Sequence, residues 1–210
     1  MISGRPKVLV VFSQKGGSGK SAAAINLAVC AHASGRAVAI FDLDDQKTSL
    51  KWAERRGDDR PGPIVVAPTV AKIGDALEAA QNDGVSLVII DAPPHAGLAT
   101  SRILEHADLV VVPIRPTSSD IDALPDTQRL VGKKSVVAFL SQCALRSPEV
   151  AETRGFIEEN LEWQVAGEIS TRVAVDRARS KGLGVTEYEP GGASAIEIET
   201  LYYSLMKALQ

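Results

Sequence analysis

The chain has 210 residues, of which 45% are hydrophobic and 23% charged, and its formal net charge is −3. Its length is ample for a folded core, and its negative charge means that the surface as a whole does not attract polyanions. Neither a signal peptide nor an apolar run near the ~18 residues of a membrane span occurs, so a cytoplasmic protein is expected.

Seven short apolar runs recur along the chain, and most are continuously apolar, as in strands buried on both faces. They cover residues 8–12, 38–41, 64–67, 87–90, 109–113, 136–140 and 165–169. The alternation of such runs with helical segments predicts a doubly wound, mostly parallel α/β sheet with helices on both faces. Residues 55–63 are the most loop-like stretch, but no linker divides the chain, and a single domain over residues 1–210 is expected.

Helix signals stand between the runs. Residues 20–34 are expected to form a helix that ends at Gly35, and residues 70–83 a helix that follows Thr69 and ends at Gly84. The tripeptide SPE at residues 147–149 has the pattern of an N-cap, a first-turn proline and an acidic first turn. Cys30 and Cys143 fall in a helical and a strand segment, without metal-ligand spacing, and are expected to be buried free thiols.

The segment KGGSGKS at residues 15–21 follows the first apolar run and precedes an Ala-rich helical segment. This is the strand, glycine loop and helix order of a loop that binds nucleoside triphosphates. Its glycines let successive backbone N–H groups turn toward one centre, and the helix N-terminus adds partial positive charge. Lys20 can reach the β- and γ-phosphates. The residues predicted to contact the nucleotide here are Lys15, Gly16, Gly17, Ser18, Gly19, Lys20, Ser21 and Ala22.

Acidic residues follow two of the apolar runs, and both should lie on the same rim as the glycine loop. Magnesium on a triphosphate needs oxygen ligands, and Ser21, Asp91 and Asp44 are the candidates. Hydrolysis needs a group that orients water toward the γ-phosphate, and either Asp44 or Asp42 could do this, since spacing alone does not choose. Pro113 and Pro116, at the end of the fifth run, could shape a purine pocket.

The loop also departs from the standard pattern. Its first glycine would stand at position 14, where this chain has Gln14, and a second lysine, Lys15, opens the loop instead. With FDLDDQ at 41–46, LVIIDAPP at 87–94 and VVVPIRPTSSDIDAL at 110–124, the chain resembles the ParA/MinD superfamily of deviant Walker-A ATPases. It is most similar to small plasmid-partition proteins of the ParF type, and the resemblance covers nearly the whole chain.

The resemblance implies a P-loop NTPase with ATP and Mg²⁺ as cofactors that forms an ATP-dependent homodimer. In the family the signature lysine, matched by Lys15, crosses to the partner's phosphates, as an arginine finger does. It also implies that Asp44 positions the attacking water and that Asp91 serves the magnesium, so Lys15, Lys20 and Asp44 are the predicted catalytic residues. Hydrolysis would be weak and stimulated by a ParB-like or cargo-adaptor protein. Asp45 stands where the family usually has proline, which alters the turn after Asp44.

A basic cluster lies within residues 171–181, where Asp176 is the single acid. Its members are Arg172, Arg177, Arg179 and Lys181. In the family the corresponding region contributes to non-specific DNA binding by the ATP-bound dimer, and phosphate neutralisation by such residues is sequence-independent. The resemblance thus implies a nucleoid-associated protein that positions a cargo, which could be a plasmid, a chromosome origin or a protein assembly.

Two other functions share this superfold. A MinD-like membrane-cycling regulator would end in a basic amphipathic helix, whereas residues 196–210 contain one lysine and two glutamates. The apolar positions there, which are Ile198, Leu201, Leu205 and Leu209, fit a helix docked on the domain, so no membrane partner is expected. A metabolic ATPase is the other alternative. Cys30 and Cys143 do not offer the ligands of an iron–sulfur protein of this kind, and no motif for a substrate carboxylate occurs.

Overall fold

The computed structural model describes residues 4–94 and 97–210, and within these ranges seven strands form one sheet. The strands are β1 (Lys7–Val11), β2 (Val38–Asp42), β3 (Ile64–Val66), β4 (Leu87–Asp91), β5 (Leu109–Ile114), β6 (Val136–Cys143) and β7 (Gln164–Ser170). The helices are α1 (Lys20–Ala33), α2 (Thr48–Arg56), α3 (Ile73–Asn82), α4 (Leu98–Glu105), α5 (Ser118–Ile121), α6 (Leu124–Val131), α7 (Pro148–Asn160), α8 (Val173–Ser180), α9 (Val185–Tyr188) and α10 (Ala193–Ala208).

The strand order is β3-β2-β4-β1-β5-β6-β7, and every neighbouring pair is parallel. Each of the seven predicted runs is therefore a strand, and the predicted doubly wound sheet is confirmed. The chain fills one side of β1 with β2, β3 and β4, and then crosses to β5 on the other side. Such a reversal opens a crevice at the carboxyl ends of the strands, where ligands of α/β sheets bind.

Both faces of the sheet are covered. Side chains alternate along β1, so that Val8 and Val10 face a layer that contains α3, α4, α6 and α7, while Leu9 and Val11 face α1, α2, α8, α9 and α10. All four side chains are fully buried. This explains why the strands are continuously apolar rather than alternating.

The C-terminal helix α10 is part of this core. Ile198, Leu201, Leu205 and Leu209 are all buried, as predicted for a helix docked on the domain. No helix in residues 4–94 and 97–210 is long and apolar enough to cross a bilayer. Cys30 and Cys143 are buried and unpaired, as predicted. Burial raises the pKa of each thiol to about 11, which keeps both in the unreactive protonated form.

Two local predictions need correction. The stretch 55–63 is not all loop, because α2 continues to Arg56, whose buried guanidinium pairs with Glu187 at 2.7 Å and bonds the Gly182 carbonyl at 3.0 Å. The helix predicted from residue 70 begins as a 3₁₀ turn, Val70–Lys72. The prediction for residues 147–149 is confirmed, because Ser147 is the N-cap of α7, Pro148 is its first residue and Glu149 lies in its first turn. The Ser147 hydroxyl bonds the Glu149 carboxylate.

Candidate nucleotide-binding site

A cleft of about 630 Å³ opens at the carboxyl ends of the strands and contains the glycine loop. Residues 16–22 line it, together with Asp44, Pro93, Pro94, the second half of β6, the end of β7 and the segment that follows β7. Gly17 and Gly19 have φ angles of 72° and 92°, in the left-handed region that favours glycine. The loop can therefore turn its backbone toward the cleft before α1 begins at Lys20.

The end of β6 holds the loop from the side. The Ser141 hydroxyl donates to the Ser18 carbonyl at 2.8 Å, and the Gln142 side-chain amide donates to the Gly17 carbonyl. These bonds hold two loop carbonyls on the β6 side of the loop. Neither Ser141 nor Gln142 is among the residues predicted from sequence. Polar residues directly after an apolar strand run were the available signal, as they were for the acidic residues on this rim.

Lys20 is buried, and its ammonium group donates to the Lys15 carbonyl at 2.9 Å, across the mouth of the loop. Burial lowers the pKa of Lys20, and the nearby charges of Asp91 and Asp44 oppose that shift. A buried cation with one neutral partner is poorly solvated, so an arriving phosphate would compensate its charge.

Asp91, the last residue of β4, is fully buried. The Ser49 hydroxyl donates to its Oδ2 at 2.8 Å, whereas Oδ1 has no hydrogen-bond partner among the described residues. An unpaired buried carboxylate oxygen can ligate a magnesium ion or accept a hydrogen bond from a water molecule on that ion. The nearby Ser21 hydroxyl influences the same carboxylate. Ser21 and Asp91 would hold Mg²⁺, which when bound withdraws charge from the phosphates.

The burial of Asp91 has a measurable cost in stability. Burial raises its pKa to about 7, although the nearby Ser21 hydroxyl and the bond from Ser49 oppose the shift. Between the ordinary value near 4 and about 7, the native state retains a proton that the unfolded state has released. The free energy of unfolding therefore falls as pH rises through this window, by at most about 4 kcal/mol in total.

We expect Asp91→Asn, which has no charge to bury, to lose this pH dependence and to be more stable than the wild type at pH 8. Urea unfolding from pH 4 to 8, without nucleotide and with a chelator, measures it. The exposed Asp58→Asn serves as the control and should keep the wild-type slope. Equal slopes for Asp91→Asn and the wild type would contradict the burial argument.

The structure distinguishes Asp42 from Asp44, which spacing alone does not. Asp42 is fully buried, and its carboxylate accepts the Leu50 amide in the first turn of α2 at 2.9 Å and the Asp44 amide at 3.2 Å. Asp44 is half-buried and lines the cleft, and its Oδ1 accepts the Gln46 amide at 2.8 Å. Asp42 is therefore placed to hold the turn and Asp44 to face a ligand. Asp45, in the position of the usual proline, is exposed and does not prevent this turn.

Four of the residues predicted to bind the nucleotide or the metal do not line the cleft, and one of them is Asp91, which is buried at the end of β4. Lys15 is the exception among residues 15–22. Pro113 is buried within β5. The pairing of β5 with β1 ends at Val111, so no hydrogen bond to β1 needs the N–H that proline lacks. Pro116 is half-buried and also lies outside the cleft. The prolines that the structure does bring to the cleft are Pro93 and Pro94, which follow Asp91.

The four basic residues predicted to bind DNA do not form one surface. Arg172 pairs with Glu197 at 2.5 Å and Arg179 with Asp176 at 2.9 Å, and both arginines line the cleft. Lys181 lies over the ring of Tyr188, with its ammonium 5.2 Å from the ring centroid. Arg177 is exposed and outside the cleft. A run of cations that is contiguous in sequence is thus divided between the cleft and the outer surface.

A parallel α/β sheet with a glycine loop between β1 and α1, and a buried aspartate at the end of β4, defines a P-loop nucleotide-binding protein. Comparison with known proteins narrows this class. The model of the CobQ/CobB/MinD/ParA nucleotide-binding domain matches residues 9–185. The chain therefore belongs to this family, which includes the ATPases of the ParA and MinD type.

Three relatives illustrate the membership. The chain is 30% identical to maintenance of carboxysome distribution protein A of Gloeobacter kilaueensis, over 99% of this chain and 95% of that protein. It is 28% identical to the chromosome-partitioning ATPase Soj of Thermus thermophilus, over 100% and 99% of the two chains. The MinD chain of the Aquifex aeolicus MinC:MinD complex has a TM-score of 0.79 at 15% identity, with 96% of each chain covered, and shows the shared fold.

Proposed function

We propose that this protein is an ATP hydrolase that dimerises on ATP, binds DNA without sequence preference and positions a cargo. The observation that carries the ATPase part is the cleft itself, in which Lys20 and Asp44 meet the glycine loop, together with the unpaired Oδ1 of Asp91, which is buried near Ser21 of that loop. These groups would bind Mg²⁺ and ATP, neutralise phosphate charge and orient a water molecule, which is most of what phosphoryl transfer requires of a protein.

A dimer is supported by the position of Lys15. Residues 16–22 all line their own cleft, but Lys15 does not, and Lys20 already supplies a buried cation. A lysine at the loop that is not directed to its own nucleotide is available to the phosphates of a second copy. A cation supplied in trans would stabilise the charge that develops during transfer, and would make hydrolysis depend on assembly.

We expect Lys15→Ala to bind ADP with nearly wild-type affinity but to stay monomeric with ATP and to lose hydrolysis. Sedimentation velocity with a slowly hydrolysed ATP analogue measures the dimer, and calorimetry with ADP measures the affinity. Lys133→Ala is a suitable control, because Lys133 is exposed and precedes β6, at the opposite end of the sheet. A normal ATP dimer of the Lys15 variant would show that this lysine acts only within its own chain.

The partition role rests on the relatives. Two of them are named for chromosome partitioning and for the distribution of carboxysomes, so both a DNA and a protein assembly are candidate cargoes here. Movement of cargo on bulk DNA would require a nucleoid-associated protein and a ParB-like or cargo-adaptor protein that stimulates hydrolysis. The buried apolar side of α10 supports DNA over a membrane as the surface that this protein uses.

The DNA-binding part is tested by fluorescence anisotropy on a random-sequence duplex with ATP analogue, with ADP and without nucleotide. Binding only with the ATP analogue, steeply weakened by salt, is the expected result. Absence of binding in every nucleotide state would overturn this part of the proposal. Strong binding without nucleotide would overturn the dependence on an ATP-held dimer.

A further inference from the structure

A second cavity, of about 320 Å³, lies between α2 and α8. We call it the α2–α8 groove. Gln46, Thr48, Lys51 and Arg55 line one side of it, and Asp176 and Arg179 line the other. It shares Gln46, Thr48, Asp176 and Arg179 with the nucleotide cleft, so it is a side branch of that cleft.

The charge of the α2–α8 groove is opposite to that of the whole protein. Lys51 and Arg55 are four residues apart on α2, hence on the same helix face, and both are exposed. Arg179 adds a third cation from α8. In the part of the chain that the structure describes, Asp176 is the single acid that lines the groove, and it is 76% exposed and pairs with Arg179. The Arg55 side chain makes no hydrogen bond or ion pair with any other described residue. The groove thus has an excess of positive charge in a chain whose net charge is −3.

The two walls of the groove are held at a fixed spacing. The Trp52 indole on α2 donates to the Leu183 carbonyl at 3.2 Å, and Arg56 bonds both Gly182 and Glu187. Gly182 approaches α2 so closely that an added Cβ would lie 2.3 Å from the backbone nitrogen of Arg56. Because α2 and the segment after α8 are joined this tightly, the cations of the groove are preorganised for an anionic ligand.

Lys51 also connects the groove to the predicted catalytic turn. Its ammonium group donates to the Gln46 carbonyl at 2.8 Å, and the Gln46 amide donates to Asp44 Oδ1 at 2.8 Å. Lys51 therefore holds the Gln46 carbonyl, and Asp44 holds the Gln46 amide. A phosphate that binds Lys51 competes with the Gln46 carbonyl for the same ammonium protons, and so acts on the turn that places Asp44.

We propose that the α2–α8 groove binds the phosphodiester backbone of DNA, and that Lys51 couples its occupancy to Asp44. This proposal rests on the proposed function, since it assumes that the protein binds DNA. It differs from the cluster predicted from sequence, because two of its three cations, Lys51 and Arg55, come from α2. Backbone phosphate is the fitting ligand because the described residues that line the groove are all polar or charged.

Binding is tested with Lys51→Glu/Arg55→Glu in anisotropy titrations on a random duplex with the ATP analogue. We expect at least a tenfold loss of affinity at 0.1 M salt, and a log–log salt slope lower by ~0.9 for each lost phosphate contact. The matched control is Lys7→Glu/Lys133→Glu, which makes the same change in net charge at the amino ends of the strands. The DNA affinity of this control should fall by no more than about threefold, since only long-range attraction changes.

The possible outcomes separate this proposal from the proposed function. If the wild type binds DNA and the groove variant binds it with the same affinity, the groove proposal alone is overturned. Equal losses in the groove and control variants also overturn it, because net charge would then explain the effect. A similar loss of ATP-analogue affinity in the groove variant would assign the groove to the nucleotide instead. If the wild type binds no DNA in any nucleotide state, the groove proposal and the DNA-binding part of the proposed function both fail.

Coupling is tested by the ratio of ATPase rates with and without saturating DNA. We expect the wild-type ratio to differ from one, and Lys51→Gln to bring it to one, because the contact with the Gln46 carbonyl no longer responds to phosphate. Arg55→Gln also removes a groove cation but does not contact Gln46, so at saturating DNA its ratio should match the wild type. A wild-type ratio of one, or an unchanged ratio in Lys51→Gln, would overturn the coupling.

Discussion

Lys20→Ala is expected to weaken ATP binding roughly 100-fold, because charge-assisted hydrogen bonds to the phosphates would be lost, each worth about 1.5–3 kcal/mol. Lys20 is buried beside the glycine loop, and no other lysine within residues 4–94 and 97–210 lines the cleft. Hydrolysis should fall below detection. Isothermal titration with ATP and a phosphate-release assay measure the two effects.

The same substitution should leave the fold intact. Burial already lowers the pKa of Lys20, so removal of its charge relieves a desolvation cost rather than breaking a stabilising ion pair. Lys72→Ala, which changes an exposed lysine in the 3₁₀ turn, is the matched control and should bind ATP normally. Unchanged ATP affinity in a folded Lys20→Ala variant would remove the assignment of the loop as the phosphate site.

Asp44→Ala is expected to reduce turnover by a factor of about 10²–10⁴, the range for loss of a positioned catalytic group, while ATP binding and dimerisation persist. Asp42→Ala should instead destabilise the fold by about 1–3 kcal/mol, because the half-buried Leu50 and Asp44 amides lose their acceptor. Steady-state ATPase assays, with thermal and urea unfolding of both variants, separate the two roles.

The pair forms its own control, since each variant removes one carboxylate from the same turn. A stable Asp42→Ala variant that binds ATP without turning it over, beside an active Asp44→Ala variant, would reverse the assignment. A loss of stability as large in Asp44→Ala as in Asp42→Ala would show that Asp44 is mainly structural.

The strands and the glycine loop were predictable because their signals are local. A parallel strand covered on both faces must be apolar at nearly every position, so each of the seven runs identified a strand without knowledge of its neighbours. The loop KGGSGKS carries its glycines, its lysine and the start of its helix within seven consecutive residues. The family membership that these motifs implied is confirmed by the match over residues 9–185.

Helix ends were less predictable, because distant contacts determine them. Nothing near Arg56 in the chain shows that its guanidinium is buried against Glu187, which lies 131 residues away, and that pair extends α2 into the stretch that resembles a loop. Ser141 likewise contacts the Ser18 carbonyl across 123 residues. Contacts of this kind depend on how the finished sheet places its strands side by side.

The sequence alone thus determined the sheet, the phosphate loop and the family of this protein, because each depends on residues close together in the chain. Only the tertiary structure decided that Asp44 lines the cleft while Asp42 does not, and that Lys15 lies outside it. It also separated the basic residues after β7 and brought Arg179 beside Lys51 and Arg55 of α2. The direction of a side chain and the residues that surround it depend on the packing of elements that are far apart in sequence, and no local pattern specifies that packing.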